Sequence, residues 1–240
     1  MLNVLRTALS DPWVALRAVL GEPLHPGGAE ATADLLDRAD VGPGTRLVDL
    51  GCGAGGALGL ARDRGATAVG LDREPATGDG PPDPYAVRGD LTRLPVADAA
   101  VDVALAECVL CLSPDVERSL AEGRRVLADG GRLAISDVVT DGDPPDLPAT
   151  LAEPLCLTGD RERERLLDRI EAAGFTVRET RDHREDLLAM RDRARERVDY
   201  ERLLPALGER DRRLLDGIHD LEAAIEDGRV GYVSLVADVA

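Results

Sequence analysis

The stretch VDLGCGAGG, residues 48–56, sets Gly51, Gly53 and Gly55 in a G-x-G-x-G run directly after the apolar, β-leaning segment TRLVDL. Glycine loses more backbone freedom on ordering than any other residue. A chain therefore concentrates it where φ must be positive or where a ligand must approach the backbone. The following segment, GALGLARDRG, has helical spacing and a glycine stop at Gly65. Strand, glycine turn and helix in that order place a ligand over the helix N-terminus, at the carboxyl edge of a parallel sheet. The third glycine arrives one residue too early for the dinucleotide pattern G-x-G-x-x-G. Taken alone, the glycines also fit a tight strand-to-helix turn that binds nothing.

Carboxylates recur where predicted strands end. Asp49 lies inside the glycine motif, where it can orient the turn and a ligand's amino group. The segment AVGLD closes a second strand at Asp72. A carboxylate there, one strand over from the turn, can accept two hydrogen bonds from a ribose diol; the alternative is a solvated loop aspartate. After a third strand, GDLTRLP offers the Asp90 carboxylate to an adenine amine and the Leu91 N–H to a ring nitrogen. A fourth strand runs through VDVALAECVLCL, which carries Glu107 and Cys108 near its end.

The sulfur chemistry rests on Cys52, Cys108, Cys111 and Cys156. Cys52 sits in the turn, where a small residue suffices. Cys108-x-x-Cys111 has the spacing of a redox or zinc pair, but a closed zinc site needs four ligands and no second close pair exists. Cys111 reads as a small buried apolar residue. Cys108 and Cys156 divide evenly between packing and substrate binding. His25, His183 and His219 lie outside these motifs; His25 either caps a ligand pocket or begins a helix, and the helix start is the reading preferred.

The elements that must position these groups alternate between short apolar strands and helical segments, the pattern of a parallel α/β sheet. Helices are predicted over 3–20, 28–39, 55–64, 114–127 and 159–174, and strands over 45–50, 67–72, 85–88, 101–107, 131–138, 175–182 and 230–239. For helix 114–127, Ser113 is the expected N-cap and Gly130 the stop. Charged helical sequence fills 184–227, and a final strand after it suits an antiparallel partner for 175–182. One domain is expected over 1–240, comprising a helical cap (1–42), a core (43–183), a helical insertion (184–228) and a last strand (229–240).

Composition removes several function classes. The 240 residues carry 46 acidic and 29 basic side chains, a net charge of -17, and the chain contains no lysine. So acidic a surface repels phosphate backbones and anionic lipid, so no nucleic-acid or membrane partner is expected. The N-terminal segment is broken by Arg6, Asp11 and Arg17 and reads as an amphipathic helix, not a signal or a span. The cysteine usage suits a reducing, cytoplasmic interior.

In this order and spacing VDLGCGAGG, GLD, GDLTRLP, VDVALAECV and EGRRVLADGGRLAISDVV resemble class I S-adenosylmethionine-dependent methyltransferases over about residues 43–140. The resemblance implies a Rossmann-like, seven-stranded sheet of order 3-2-1-4-5-7-6 with strand 7 antiparallel, N-terminal helices and a helical insertion before the last strand. It implies S-adenosyl-L-methionine as cofactor, its methionine part on the first loop, its ribose at Asp72 and its adenine at Asp90. The expected cofactor-binding set is Asp49, Gly51, Gly53, Gly55, Asp72, Arg73, Asp90, Leu91 and Glu107.

A narrower resemblance joins ECVLCLSPDVERSLAEGRRVLADGGRLAISDVV to arsenite methyltransferases, whose cysteine after strand four binds arsenic; Cys108 takes that place. In EPLCLTGDRERERLLDRIEAAGF, Cys156 matches a second arsenic-binding cysteine and Gly159 its glycine. Ala57 and Leu58 stand where those enzymes usually carry a further cysteine, and Asp160 replaces an alanine. The expected function is methyl transfer to a small molecule. Trivalent arsenic held by Cys108 and Cys156 is one acceptor, and a quinone-like or natural-product acceptor is the other. A cofactor-binding domain without catalysis is the third reading. No metal cofactor is expected, and the chain is expected to be a monomer or homodimer.

Overall fold

The structure, a computed structural model, describes residues 16–17, 19–21, 24–75, 83–200 and 209–240. The helix expected over 3–20 lies largely outside them. Helix α1 spans Gly28–Arg38, with Glu30 in its first turn and Arg38 in its last, the charge order that suits a helix dipole. It is followed by β1 (Arg46–Leu50), α2 (Gly56–Asp63), β2 (Thr67–Asp72), β3 (Ala86–Arg88) and β4 (Val101–Glu107). Then come α3 (Val116–Val126), β5 (Leu127–Thr140), the short α4 (Ala149–Ala152), α5 (Arg163–Ala172) and β6 (Phe175–Asp182). Helices α6 (Arg184–Arg197) and α7 (Glu209–Asp227) precede β7 (Val230–Val239).

The strands form one seven-stranded sheet of order β3-β2-β1-β4-β5-β7-β6, with β7 antiparallel, as the sequence implies. The pairs β3–β2, β2–β1, β1–β4 and β4–β5 are parallel. Strands β1 and β4 read as near-continuous apolar runs because a parallel strand is covered on both faces.

Two local expectations are corrected. Helix α3 starts at Val116, and its N-cap is Asp115, whose carboxylate accepts the Arg118 N–H at 2.8 Å. A carboxylate two residues beyond Ser113 captures the exposed amide, and the Ser113 hydroxyl turns to Ser119 instead, at 2.7 Å. Gly130 does not end the helix. Strand β5 begins at Leu127, and its register on β4 jumps from Val101–Leu127 to Val103–Arg132. Gly130, with φ 72°, lies in that bulge.

Two compact units are present, the larger made of Ala29–Asp137, Glu164–Arg181 and Val233–Ala240. Its core joins Leu35 and Leu36 of α1 and Ala39 just after it to Leu58 and Ala61 of α2 and to Leu47, Ala68, Val103 and Leu105 of the sheet. The Arg46 guanidinium and N–H both reach Asp102, tying the starts of β1 and β4 at 2.6–3.1 Å. The other unit is Met1–Gly28, Val138–Arg163 and Asp182–Tyr232. In it the buried Glu222 of α7 accepts from Arg195 of α6 at 2.6 and 2.7 Å and from the Tyr200 hydroxyl. Buried His183 accepts or donates to Asp186 at 2.9 Å and meets the Tyr232 ring edge-on at 5.8 Å. The expected apolar stripe of α7 is only half-buried at Leu214, Leu215, Ile218 and Leu221, whereas Ala224 and Ile225 are buried.

Two glycines of the larger unit predict opposite responses. A Cβ on Gly70 of β2 would come within 2.5 Å of Cys52 Sγ and 2.8 Å of Leu58 Cδ1. Gly70→Ala is expected to cost about 1–3 kcal/mol by overpacking. Gly59, inside α2, has nothing within 4 Å of such an atom, so Gly59→Ala should gain roughly 0.5–1 kcal/mol from helix propensity. Denaturant unfolding of both variants checks the pair; a stabilised Gly70→Ala would contradict the packing described.

Candidate active site

Register places three carboxylates together. Asp49 stands opposite Gly70 of β2 and Leu105 of β4, and Asp72 and Glu107 are the last residues of those two strands. The carboxyl edge of three adjacent parallel strands therefore carries an acid on each. Asp49 is 3 % exposed. Burial, then the charges of Glu107 and Asp72, push its carboxyl well above the ordinary range. The half-buried Glu107 accepts the Thr32 hydroxyl at 3.1 and 3.2 Å and the Ser136 hydroxyl at 3.3 Å.

The glycine turn hangs on the end of β2. The N–H groups of Gly51 and Cys52 both donate to the Leu71 carbonyl, at 2.6 and 3.0 Å. The Gly53 N–H donates to Asp72 Oδ2 at 3.0 Å, and Asp72 Oδ1 accepts the Glu74 N–H at 2.8 Å. Gly51, Gly53 and Gly55 all have positive φ, 81°, 50° and 82°. Their surroundings differ. A Cβ on Gly51 would overlap the Val109 side chain, and one on Gly55 would meet Asp83 Cβ at 2.9 Å, whereas one on Gly53 would meet nothing within 4 Å beyond its chain neighbours. Gly51 and Gly55 are required by the protein itself, and Gly53 faces open space.

A shallow, partly open cleft lies beside the turn. Gly51, Asp72, Arg73, Asp90 and Leu91 line it, so five of the expected positions share one cavity. Leu71, Val109 and Leu112 give it apolar walls. Asp49, Gly53, Gly55 and Glu107 are not among its lining residues. Asp90 is shaped by its own turn: Oδ1 accepts the Thr92 N–H at 2.8 Å and hydroxyl at 2.6 Å, which holds its carboxyl below the ordinary range.

The cysteines separate by state. Cys52 is buried against Gly70, and burial followed by the charges of Asp49 and Asp72 pushes its thiol up to about 12. A thiol so hard to ionise is inert at neutral pH, as its position in the turn suggests. Cys108 is a half-buried thiol outside any disulfide, at φ 48°, and its sulfur lies within 4.8 Å of an Asp137 carboxylate oxygen. Cys111 is buried as expected but is disulfide-bonded. Cys156 is buried, at φ 58°, and also disulfide-bonded. His25 forms the turn before α1, its carbonyl accepting the Gly28 N–H at 3.3 Å.

Thr32, Val109 and Ser136 escaped the sequence reading. Thr32 and Ser136 look like ordinary polar residues of an amphipathic helix and a strand. Their meeting at Glu107 needs the third dimension. Val109 follows a strand end, and nothing in its type signals that it covers Gly51.

An acid-edged parallel sheet with a glycine turn and an adjoining cleft defines a nucleotide-type cofactor enzyme. Residues 48–135 match the methyltransferase domain family. The chain is 31% identical over 235 residues to the methyltransferase GfsG of Streptomyces halstedii, spanning 90% of this chain and 82% of that protein. It is also 31% identical over 175 residues to an arsenite methyltransferase of Halobacterium salinarum, where the match spans 61% of this chain and 44% of the relative. A solved geranyl diphosphate methyltransferase in complex with SAM superposes with a TM-score of 0.72 at 20% identity, covering 99% of this chain and 96% of that one. The chain belongs to the S-adenosylmethionine-dependent methyltransferases. Among the described residues no helix is long and apolar enough to cross a membrane.

The protonation of Asp49 is testable through stability. A carboxyl whose folded pKa is raised contributes stability that is full below the ordinary carboxyl pKa, near 4, and is lost as pH rises through the folded value. In Asp49→Asn this dependence disappears. Urea unfolding across pH should show the wild-type advantage over the variant shrinking steadily above about pH 4. An advantage that grows with pH would mean that Asp49 is ionised in the fold.

Proposed function

We propose that this chain transfers the methyl group of S-adenosyl-L-methionine to a small organic acceptor. The observation that carries the reading is the row of acids on three neighbouring strand ends. A cationic ligand is attracted to such an edge, and the adjoining cleft offers a nucleoside apolar walls and convergent carboxylates. Bound cofactor supplies a methyl carbon already activated on a sulfonium. Asp72 then holds the ribose, Asp90 and Leu91 the adenine, and Arg73 flanks them. Gly51, Gly53 and Gly55 let the methionine part lie against the turn, with Asp49 beneath it and Glu107 at its end. The open space at Gly53 supports this placement.

Glu107 also has the position of a proton acceptor. It ends β4 at the sheet edge, and two hydroxyls fix its orientation. An acceptor hydroxyl or acidic carbon would give its proton to this carboxylate as the methyl carbon is transferred. Apolar walls exclude water from the reacting atoms.

A second reading, transfer to trivalent arsenic, is favoured by the reduced Cys108 thiol near Asp137 and by the arsenite methyltransferase relative. Thiolates suit a soft acceptor. Cys156 would have to be reduced before it could share the metalloid.

Calorimetric titration with S-adenosylhomocysteine tests the cofactor site. Asp72→Ala should weaken binding by about 1.5–3 kcal/mol, the worth of hydrogen bonds to a charged group. Gly53→Ala should lose binding while unfolding within about 1 kcal/mol of wild type, the cost of a side chain at positive φ. Wild-type affinity in both variants would overturn the assignment.

Labelled cofactor tests the acceptor against phenolic and other organic hydroxyl compounds and against arsenite with thiols. Glu107→Gln should slow organic methylation at least 100-fold, as loss of a general base does. If arsenite alone is methylated, and Cys108→Ser and Cys156→Ser each abolish that, the second reading replaces the first.

A further inference from the structure

Resting on the cofactor reading above, we propose that Arg118, Glu122 and Arg125 of α3 are positioning residues for recognition of the adenine base. These three side chains occupy one face of the helix and grip the segment that follows Asp90 at alternate residues. Arg118 Nε donates to the Thr92 carbonyl at 3.1 Å. Glu122 Oε2 accepts the Leu94 N–H at 2.8 Å, and Arg125 Nη2 donates to the Leu94 carbonyl at 3.1 Å. Arg125 Nη1 donates to the Val96 carbonyl at 2.8 Å and to Asp98 Oδ1 at 2.7 Å. The Arg125 carbonyl accepts the Ala99 N–H at 3.0 Å.

Glu122 and Arg125 also hold each other, through Nε at 2.8 Å and Nη2 at 2.7 Å. Arg125 and the Leu94 N–H keep the buried Glu122 ionised below the ordinary carboxyl range. A buried charge is stabilising only when its partners are in place. The pair therefore has one low-energy geometry, and the backbone of 92–98 is held to it.

The grip reaches the cleft through Thr92. Its N–H and hydroxyl both fix Asp90 Oδ1, and its carbonyl is the group that Arg118 takes. The Asp90 carbonyl accepts the Arg93 N–H at 3.0 Å, closing the turn. Asp90 and Leu91 line the cleft, and the three α3 side chains are not among its lining residues. The helix thus acts on the base through the loop. Without the grip, the loop retains its sequence but loses the single arrangement in which carboxylate and N–H face the base together.

The experiment compares S-adenosylhomocysteine with S-inosylhomocysteine, in which an oxo group replaces the amine and the adjacent ring nitrogen carries hydrogen. A site built to bond both groups rejects the altered base. Wild type should bind the adenosyl compound at least roughly 10-fold more tightly. In Arg118→Met and Arg125→Met that preference should fall to within about threefold, while affinity for the inosyl compound changes less than about twofold; Arg125→Lys should restore part of it. A purely structural role would lower both affinities together and leave their ratio unchanged. Arg118 is exposed, so its variant keeps the fold and decides the matter if Arg125→Met does not. An undiminished preference in folded Arg118→Met overturns the proposal. A wild type that binds both compounds equally also overturns it, and one that binds neither overturns the cofactor reading itself.

Discussion

Three acids crowd the carboxyl edge of three adjacent strands, one of them stripped of water, and the rest of the site accommodates that arrangement. Like charges in a low-dielectric setting cannot all be ionised cheaply. Burial and the neighbouring charges push the Asp49 carboxyl toward its protonated form, and Cys52 beside it stays a thiol. Glu107 is steadied by Thr32 and Ser136, and Asp72 by the amides of Gly53 and Glu74. The glycine turn is therefore both a ligand platform and part of the electrostatic solution. One of its N–H groups neutralises part of an acid that a ligand would also use.

The neighbouring elements divide the work. The Leu71 carbonyl takes two amides of the turn and so fixes its path on β2. Val109 packs over Gly51 from the segment after β4, and that contact, more than a ligand's approach, is what forbids a side chain at Gly51. Helix α3 grips the loop after Asp90 through a part-buried ion pair. The acidic composition of the surface sits well with this chemistry, since the ligand it serves carries positive charge.

Much of this was legible in the sequence because the signals are local. Apolar runs of strand length, glycine at positive φ and an acid closing each strand are properties of short segments, and the strand order followed from the family resemblance they carry. What escaped depends on contacts between segments. Nothing in EGRRV distinguishes Glu122 and Arg125 from a solvated helix pair until Leu94 and Val96 are seen to lie against them. The Asp115 cap displaced Ser113 because two candidates two residues apart both suit a helix start, a difference that pattern cannot settle. The bulge in β5 was hidden because Gly130 serves a helix stop and a bulge equally well. The disulfide-bonded state of Cys111 and Cys156 has no local signature at all.

A crystal structure of the protein with S-adenosylhomocysteine tests the central claim most directly. The account predicts adenine against Asp90 and Leu91, ribose hydroxyls on Asp72, and the amino-acid end over Gly53 with Asp49 and Glu107 below it. Ligand bound away from the carboxyl ends of β1, β2 and β4, or none bound at saturating concentration, would contradict it.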